Sequence, residues 1–240
     1  MLDLIIINGN CYIDGELKEV DVAIKDKKIH QIGQISEEAK ETLDAIGRTV
    51  LPGCIDTQTH FREPGSTDTE DLHSGSRAAI AGGITSVFEM PNTNPPTSNK
   101  KEFQRKLDLA KNRMYCNYAF YFGATADNAD DLAGLKDLEG CCGIKLFAGS
   151  STGNLLVAEE DDIDKVFQNA SKVVAVHSED EAILKVNKQL IKQGDVHTHP
   201  VWRSAECAIS STRRIVRIAE KYDKKAVSYT HLTLPTSHLV

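Results

Sequence analysis

Residues 173–180 have the sequence VVAVHSED, a short apolar run that ends in a histidine and then turns polar. Such a run is typical of a strand that is buried on both faces of a parallel sheet. A similar run at residues 142–147, CGIKLF, contains a lysine, and residues 50–60, VLPGCIDTQTH, again end in a histidine. Because amphipathic stretches separate these runs, the pattern predicts repeated strand–helix units.

The units extend from residue 50 almost to the end of the chain. The strand candidates are residues 50–56, 84–89, 117–123, 143–147, 173–176 and 226–231, and the helix candidates are residues 72–82, 100–112, 129–138, 160–170, 179–193 and 203–221. Repeated units build a parallel sheet, so the sequence predicts the α/β class, as a (β/α)8 TIM-type barrel or an open doubly wound sheet. A closed barrel needs eight units over about 250 residues, so about six units would leave it incomplete. No G-x-G-x-x-G motif follows a strand, which weakens the dinucleotide-binding alternative.

The two ends of the chain differ from this central region. Residues 1–52 are β-rich, with strands too few and too short for an independent domain, and residues 53–225 carry the strand–helix units. Residues 226–240 contain no Asp, Glu, Lys or Arg and are rich in Thr, Ser, Leu and His. We interpret this last segment as an atypical tail, which is either a frayed terminus or a non-native extension.

The composition argues against several classes of protein. Of the 240 residues, 40% are hydrophobic and 26% are charged, which is typical of a globular protein and not of a disordered one. A formal charge of −7 argues against a basic nucleic-acid footprint and against a polybasic membrane patch. The six cysteines form no C-x-x-C pair, and neither a signal peptide nor a membrane-spanning apolar run is evident. We therefore expect reduced thiols and a cytoplasmic location.

Three side chains suited to metal binding fall at the ends of separate strand candidates: His60, Lys145 and His177. A barrel would bring these strand ends together at one mouth, where barrel active sites are built. Neutral imidazole is a common zinc ligand, although a single histidine in such a place is more often structural. Lys145 either extends its head to solvent or stays buried with a lowered pKa. A buried neutral amine can react with carbon dioxide to form a carbamate, an anionic ligand able to bridge two metals.

Polar residues beside these positions point to a substrate site. Arg62 could hold a planar carboxylate through its bidentate guanidinium, or it could pair with Glu63 or cap a helix. Asn92 follows the second barrel strand in a Pro-rich loop and could bond a ligand. His231 stands at the end of the sixth strand candidate, within the atypical tail. Four further polar residues are interpreted as capping and surface groups, with a subunit contact as the alternative: His197, His199, Arg203 and Glu206.

Residues 56–65, 90–97, 143–157 and 176–180 together resemble the dihydroorotase branch of the amidohydrolase superfamily in order and spacing. The resemblance covers roughly residues 1–225 and implies a metal-dependent (β/α)8 barrel with a small β-sandwich, to which residues 1–52 would belong. It implies hydrolysis and cyclisation between (S)-dihydroorotate and N-carbamoyl-L-aspartate in de novo pyrimidine biosynthesis. The implied cofactor is zinc, as one or two divalent ions, and the implied protein partners are a second copy in a homodimer and aspartate carbamoyltransferase.

The same resemblance assigns roles by position. It implies metal ligands at His60, Lys145, His177 and His231, with carboxylated Lys145 as the bridging group, and substrate-carboxylate contacts at Arg62 and Asn92. Among these residues, Arg62 favours dihydroorotase over hydantoinase-like or allantoinase-like relatives.

Two departures from the family pattern bear on activity. Gln58 stands where the pattern Asp-x-His-x-His commonly has its first histidine, so a one-metal site becomes an alternative. The strand-eight aspartate that serves as general base in the family has no counterpart among these 240 residues. We therefore expect the chain as written to be weakly active or inactive.

Two other functions stay open. One is a non-catalytic dihydroorotase-like subunit that scaffolds aspartate carbamoyltransferase, which the change at Gln58 suggests and the retained ligand residues argue against. The other is a cyclic amidase that acts on hydantoin or allantoin.

Overall fold

The structure, a computed structural model, describes residues 1–151 and 154–228. The chain forms two compact units, of which the first is Met1–Cys54 and the second begins at Ile55. No helix in the described ranges has both the length and the apolar content needed to cross a bilayer. Most of the predicted tail, residues 229–240 with His231, lies outside the described residues.

The first unit consists of short strands in two sheets. The strands are β1 (Leu2–Ile7), β2 (Asn10–Ile13), β3 (Glu16–Glu19), β4 (Asp21–Lys25), β5 (Lys28–Gly33), β6 (Ala39–Asp44) and β7 (Thr49–Val50). One sheet has the order β5-β4-β1-β6 and the other the order β3-β2-β7. Leu2, Ile5 and Ala23 form the small buried core of this unit.

The second unit alternates strands with helices along a single sheet. The strands are β8 (Cys54–Thr59), β9 (Ile84–Glu89), β10 (Asn117–Gly123), β11 (Cys141–Phe147), β12 (Val174–His177) and β13 (Ala226–Ser228). The helices are α1 (Leu72–Ala81), α2 (Lys100–Ala110), α3 (Glu160–Asn169), α4 (Glu181–Asn187), α5 (His199–Trp202) and α6 (Ala205–Lys221). The strands follow one another in chain order across the sheet, and the pairs from β9 to β13 are parallel. The predicted α/β class is confirmed, and this sheet is a curled, incomplete (β/α) barrel.

The alternation of side chains along β11 separates a packed core from a polar site. Ile144 and Leu146 are fully buried in the main apolar cluster, together with Phe103 and Phe167 from helices α2 and α3. Because successive side chains of a strand point to opposite faces, Lys145 lies on the other face of the sheet. The strand therefore supplies side chains to the core and carries one candidate site residue, Lys145.

Most predicted elements differ from the structure by a few residues, the helix predicted at residues 179–193 is the shorter Glu181–Asn187, and two further elements differ in position or in kind. The first barrel strand, predicted at residues 50–56, is Cys54–Thr59, whereas Val50 pairs with β2 in the small unit. Pro52 explains the interruption, because proline has no N–H to donate to a sheet ladder. The helix predicted at residues 129–138 is a 3-10 helix, Ala129–Leu135. Each change shortens an element without altering the order of strands.

Candidate active site

His60 lies at the end of β8, beside the loop that follows β9. Its Nδ1 is 2.8 Å from Oδ1 of Asn92. Burial, followed by the charge of Arg62, lowers the pKa of His60 to about 4, although the Asn92 hydrogen bond opposes this shift. The imidazole is therefore neutral at pH 7. Nδ1–H donates to Asn92, and Nε2, for which the described residues provide no hydrogen bond, keeps its lone pair.

Lys145 is buried within β11, with only 1% of its surface exposed. Burial lowers the pKa of its ammonium group to about 7, because a charged amine loses its hydration there. The Nζ atom lies 4.8 Å from the centroid of the Phe147 ring, and the positive charge of Lys145 contributes to the low pKa of His60. The alternative in which the lysine head escapes to solvent is therefore wrong, and a substantial fraction of the amine is neutral near pH 7.

His177 ends β12 and lies opposite Phe147 of the neighbouring strand. Its Nε2 is 2.5 Å from Oε2 of Glu179. Arg203 donates from Nε to Oε1 of Glu179 at 2.8 Å, and its Nη2 contacts Oε2. Burial alone would raise the pKa of Glu179, but the hydrogen bonds from Arg203 and His177 lower it to about 2. The interpretation of Arg203 as a capping or surface group is wrong, because it binds the carboxylate beside His177.

Arg62 directly follows the His60–Phe61 pair and has a left-handed backbone, with φ of 62°. The described residues provide no hydrogen bond or ion pair to its guanidinium. The alternative in which it pairs with Glu63 is wrong: Arg113 binds both oxygens of that carboxylate, at 2.7 and 3.2 Å, and the Leu72 amide donates to it at 2.9 Å. A strained, partly buried arginine without a partner among the described residues is suited to bind an anionic ligand.

A buried ion pair at the end of β9 was not predicted from the sequence. Glu89 and Lys106 are both completely shielded from solvent and contact each other through Oε2 and Nζ. Burial raises the pKa of Glu89 to about 7, against the opposing charge of Lys106, and burial lowers the pKa of Lys106. The Lys106 ammonium also donates to the Met90 carbonyl at 2.9 Å, and the Phe61 amide bonds Glu89. The pair thus ties the β8 and β9 ends to helix α2.

The side chains of this region are of the types that bind divalent metals, although the described residues place only a few such side chains here. Neutral His60 with an open Nε2, His177, and a buried lysine able to form a carbamate are suitable ligands. Within residues 1–151 and 154–228, no group of three or more His, Cys, Asp or Glu side chains is arranged so that it could hold a metal ion. Gln58 is exposed on β8, and His231 lies outside the described residues. The metal roles of these residues therefore stay predictions.

Comparisons with known proteins agree with this architecture. Residues 49–232 match the amidohydrolase family. The chain is 33% identical over 239 residues to a dihydroorotase from Methanosarcina mazei, covering 97% of this chain and 52% of the relative. It is also 33% identical over 230 residues to an allantoinase from Escherichia coli, covering 91% of this chain and 51% of that protein. Its fold matches an L-hydantoinase from Arthrobacter aurescens with a TM-score of 0.87 and 26% identity, over 95% of this chain and 52% of that one.

The chain belongs to the amidohydrolase family. It spans about half the length of the curated relatives that it matches. The relatives include proteins named for three different cyclic amides, so the family is established and the particular substrate is not.

Proposed function

We propose that this chain is part of a metal-dependent cyclic amidohydrolase whose substrates are (S)-dihydroorotate and N-carbamoyl-L-aspartate. The observation that carries the substrate choice is the Arg62 guanidinium, which has no partner among the described residues and lies close enough to His60 to lower its pKa. Both proposed substrates carry a carboxylate next to the ring amide or its opened form. A fork of N–H donors binds such a planar carboxylate in two places at once.

The proposed roles follow from the contacts of each side chain. His60 would offer Nε2 to a zinc ion, because Asn92 occupies its Nδ1. His177 and Lys145 would complete the described part of the ligand set. Lys145 would first react as a neutral amine with carbon dioxide, forming an N–C bond and releasing one proton to leave an anionic carbamate. When bound, the metal supplies Lewis-acid activation of the amide carbonyl and of water.

Asn92 has a second proposed role. Its side-chain oxygen accepts from His60, and its amide nitrogen has no hydrogen-bond partner within the described residues. The N–H groups of that amide could therefore donate to the substrate carboxylate next to Arg62. One residue would then orient a metal ligand and contact the substrate.

The experiment is a comparison of three ring substrates with the zinc-supplemented chain. Dihydroorotate, hydantoin and allantoin are incubated at pH 7.5, and ring opening is followed by chromatography. We expect dihydroorotate to be hydrolysed fastest, at a low absolute rate. Hydrolysis of hydantoin or allantoin with no hydrolysis of dihydroorotate would contradict the proposal.

The second candidate is a hydantoinase-like or allantoinase-like amidase. It is favoured by the 33% identity to an allantoinase and by the structural match to an L-hydantoinase. Hydantoin and allantoin have no ring carboxylate, so this function would give Arg62 no ionic partner. Replacing Arg62 with methionine separates the two functions, because only dihydroorotate turnover should then fall. The matched control is Arg105→Met, which changes an arginine on α2 that is 54% exposed.

A further inference from the structure

The side chains around His177 form a hydrogen-bonded chain that runs away from the strand end. His177 contacts Glu179 through Nε2, and Glu179 is in turn bound through both oxygens by Arg203. The Glu179 side chain is only 7% exposed, so water competes little for these bonds. No described residue bonds the other ring nitrogen, Nδ1.

The contacts decide which ring nitrogen carries the proton. A carboxylate bound through both oxygens by a guanidinium is ionised and can only accept hydrogen bonds. A 2.5 Å approach of Nε2 to Glu179 is favourable only if Nε2 carries a hydrogen. Arg203 Nη2 lies 3.4 Å from the same Nε2, and because both nitrogens then carry hydrogens, this approach is not a hydrogen bond. When the ring is neutral, its lone pair is therefore on Nδ1.

Arg203 is itself held in place from two sides. Its backbone N–H donates to the His199 carbonyl at 2.9 Å, and its guanidinium carbon lies 5.3 Å from the centroid of the Trp202 ring. The Trp202 indole donates to the Leu184 carbonyl at 3.1 Å, and Asn187 donates to the Trp202 carbonyl at 3.2 Å. The segment around α5 is thus anchored to α4, and it presents Arg203 to Glu179 in a fixed orientation.

We propose that Glu179, held by Arg203, is a positioning residue that fixes the His177 ring with Nε2 protonated and Nδ1 open to a metal. His60 is fixed as the opposite tautomer, with Nδ1 bound to Asn92 and Nε2 open. A partner on the far nitrogen commonly sets the orientation and basicity of a metal-binding histidine, and its loss weakens metal binding about 10–100-fold. The metal-binding part of this inference rests on the proposed function, whereas the tautomer does not.

The first test is long-range ¹H–¹⁵N NMR of the metal-free, ¹⁵N-labelled chain at pH 7.5, which identifies the protonated ring nitrogen. We expect His177 to be a single Nε2–H tautomer in the wild type and a mixture of tautomers in Glu179→Ala. A wild-type ring protonated on Nδ1, or an unchanged tautomer in Glu179→Ala, would overturn the proposal. Glu179→Gln keeps an acceptor oxygen in the same place, so we expect it to retain the wild-type tautomer. It serves as the second variant if Glu179→Ala does not fold.

The second test is a zinc titration against a chromogenic chelator on the same proteins. We expect Glu179→Ala and Arg203→Ala to weaken zinc binding about 10–100-fold. The control Arg217→Ala should not, because it removes an exposed arginine of α6 whose partner is Glu160. Unchanged zinc affinity in both site variants would overturn the metal-positioning role. Failure of the zinc-supplemented wild-type chain to hydrolyse dihydroorotate, alongside the expected tautomer and zinc results, would count against the proposed substrate and not against this inference.

Discussion

Glu89 and Glu179 occupy similar places but have opposite electrostatic properties. One ends β9 and the other lies just beyond β12, and both are at least nine-tenths buried. The pKa of Glu89 is raised to about 7 by burial, whereas the hydrogen bonds from Arg203 and His177 overcome burial and lower the pKa of Glu179 to about 2. The cation bound to each carboxyl group therefore determines the direction in which its pKa shifts.

The type of cation explains this contrast. Lys106 is as deeply buried as Glu89 and its own pKa is lowered, so the pair can approach a neutral acid and a neutral amine. Arg203 stays charged at every pH relevant to proteins, and it binds both oxygens of Glu179. A buried carboxylate at a strand end is thus kept ionised by arginine and allowed to become neutral by lysine.

The largest expected effect comes from removing the lysine of the Glu89 pair. Lys106→Met leaves Glu89 buried without its cation, and we expect it to lower the free energy of unfolding by about 3–5 kcal/mol at pH 8. Urea denaturation measures the change. The control Lys101→Met, on the exposed side of α2, should stay within about 0.5 kcal/mol of the wild type.

A double variant tests whether the loss of the Lys106 cation is what destabilises Lys106→Met. Glu89→Gln combined with Lys106→Met removes the charge that Lys106→Met leaves unpaired, so we expect it to regain most of the lost stability. A double variant no more stable than Lys106→Met would show that packing of the lysine stem, and not the ion pair, matters at this position.

An intermediate effect is expected at the third carboxylate, Glu63. It resembles Glu179 in its bidentate arginine, but the side chain of Arg113 is 38% exposed. We expect Arg113→Met to lower the free energy of unfolding by about 1–2 kcal/mol, because solvent screens part of the charged hydrogen bonds. Thermal unfolding followed by circular dichroism measures it. A loss of stability as large as that of Lys106→Met would contradict the idea that the degree of burial determines how much each ion pair contributes to the free energy of unfolding.

The last expected effect, which is spread over several pH units, is a difference in the pH dependence of the free energy of unfolding. The folded protein holds the Glu89 proton up to about pH 7, whereas the unfolded chain loses it near the ordinary value of 4.5. Between these values the folded state binds more protons, so this group makes the free energy of unfolding decrease as pH rises, by at most about 1.4 kcal/mol per pH unit. When the free energy of unfolding is measured against pH, the wild type and Glu89→Gln should therefore differ in slope between pH 4.5 and 7. Parallel curves would show that Glu89 titrates normally.

The strand order and the places of the candidate site residues in the fold are predictable from the sequence, since both depend on local patterns. Apolar runs that end in a polar residue mark the ends of parallel strands, and His60, Lys145 and His177 stand in or directly after such runs. The burial of Lys145 is not predictable in the same way, because a lysine stem can bring its head to solvent from a strand end. Only the tertiary packing around β11 removes that route.

The ion pairs could not be predicted, because their partners are distant in sequence. Arg113 is 50 residues from Glu63, and Arg203 is 24 residues from Glu179. Lys106 stands in a helix rich in exposed charges, where the expected position of a lysine is the solvent face. The sequence does contain a weak indication that Lys106 is buried. Helix α2 requires a buried face, and Lys106 lies three residues after buried Phe103.

The most direct test of the proposed substrate is a binding measurement with Arg62→Met. Isothermal titration calorimetry compares (S)-dihydroorotate with hydantoin, which lacks the carboxylate, on the wild type, Arg62→Met and the control Arg105→Met. We predict that Arg62→Met weakens dihydroorotate binding about tenfold or more, the loss expected for hydrogen bonds to a charged group, and leaves hydantoin binding unchanged. Equal effects on both ligands, or none on dihydroorotate, would contradict the proposal that Arg62 selects a carboxylate-bearing ring.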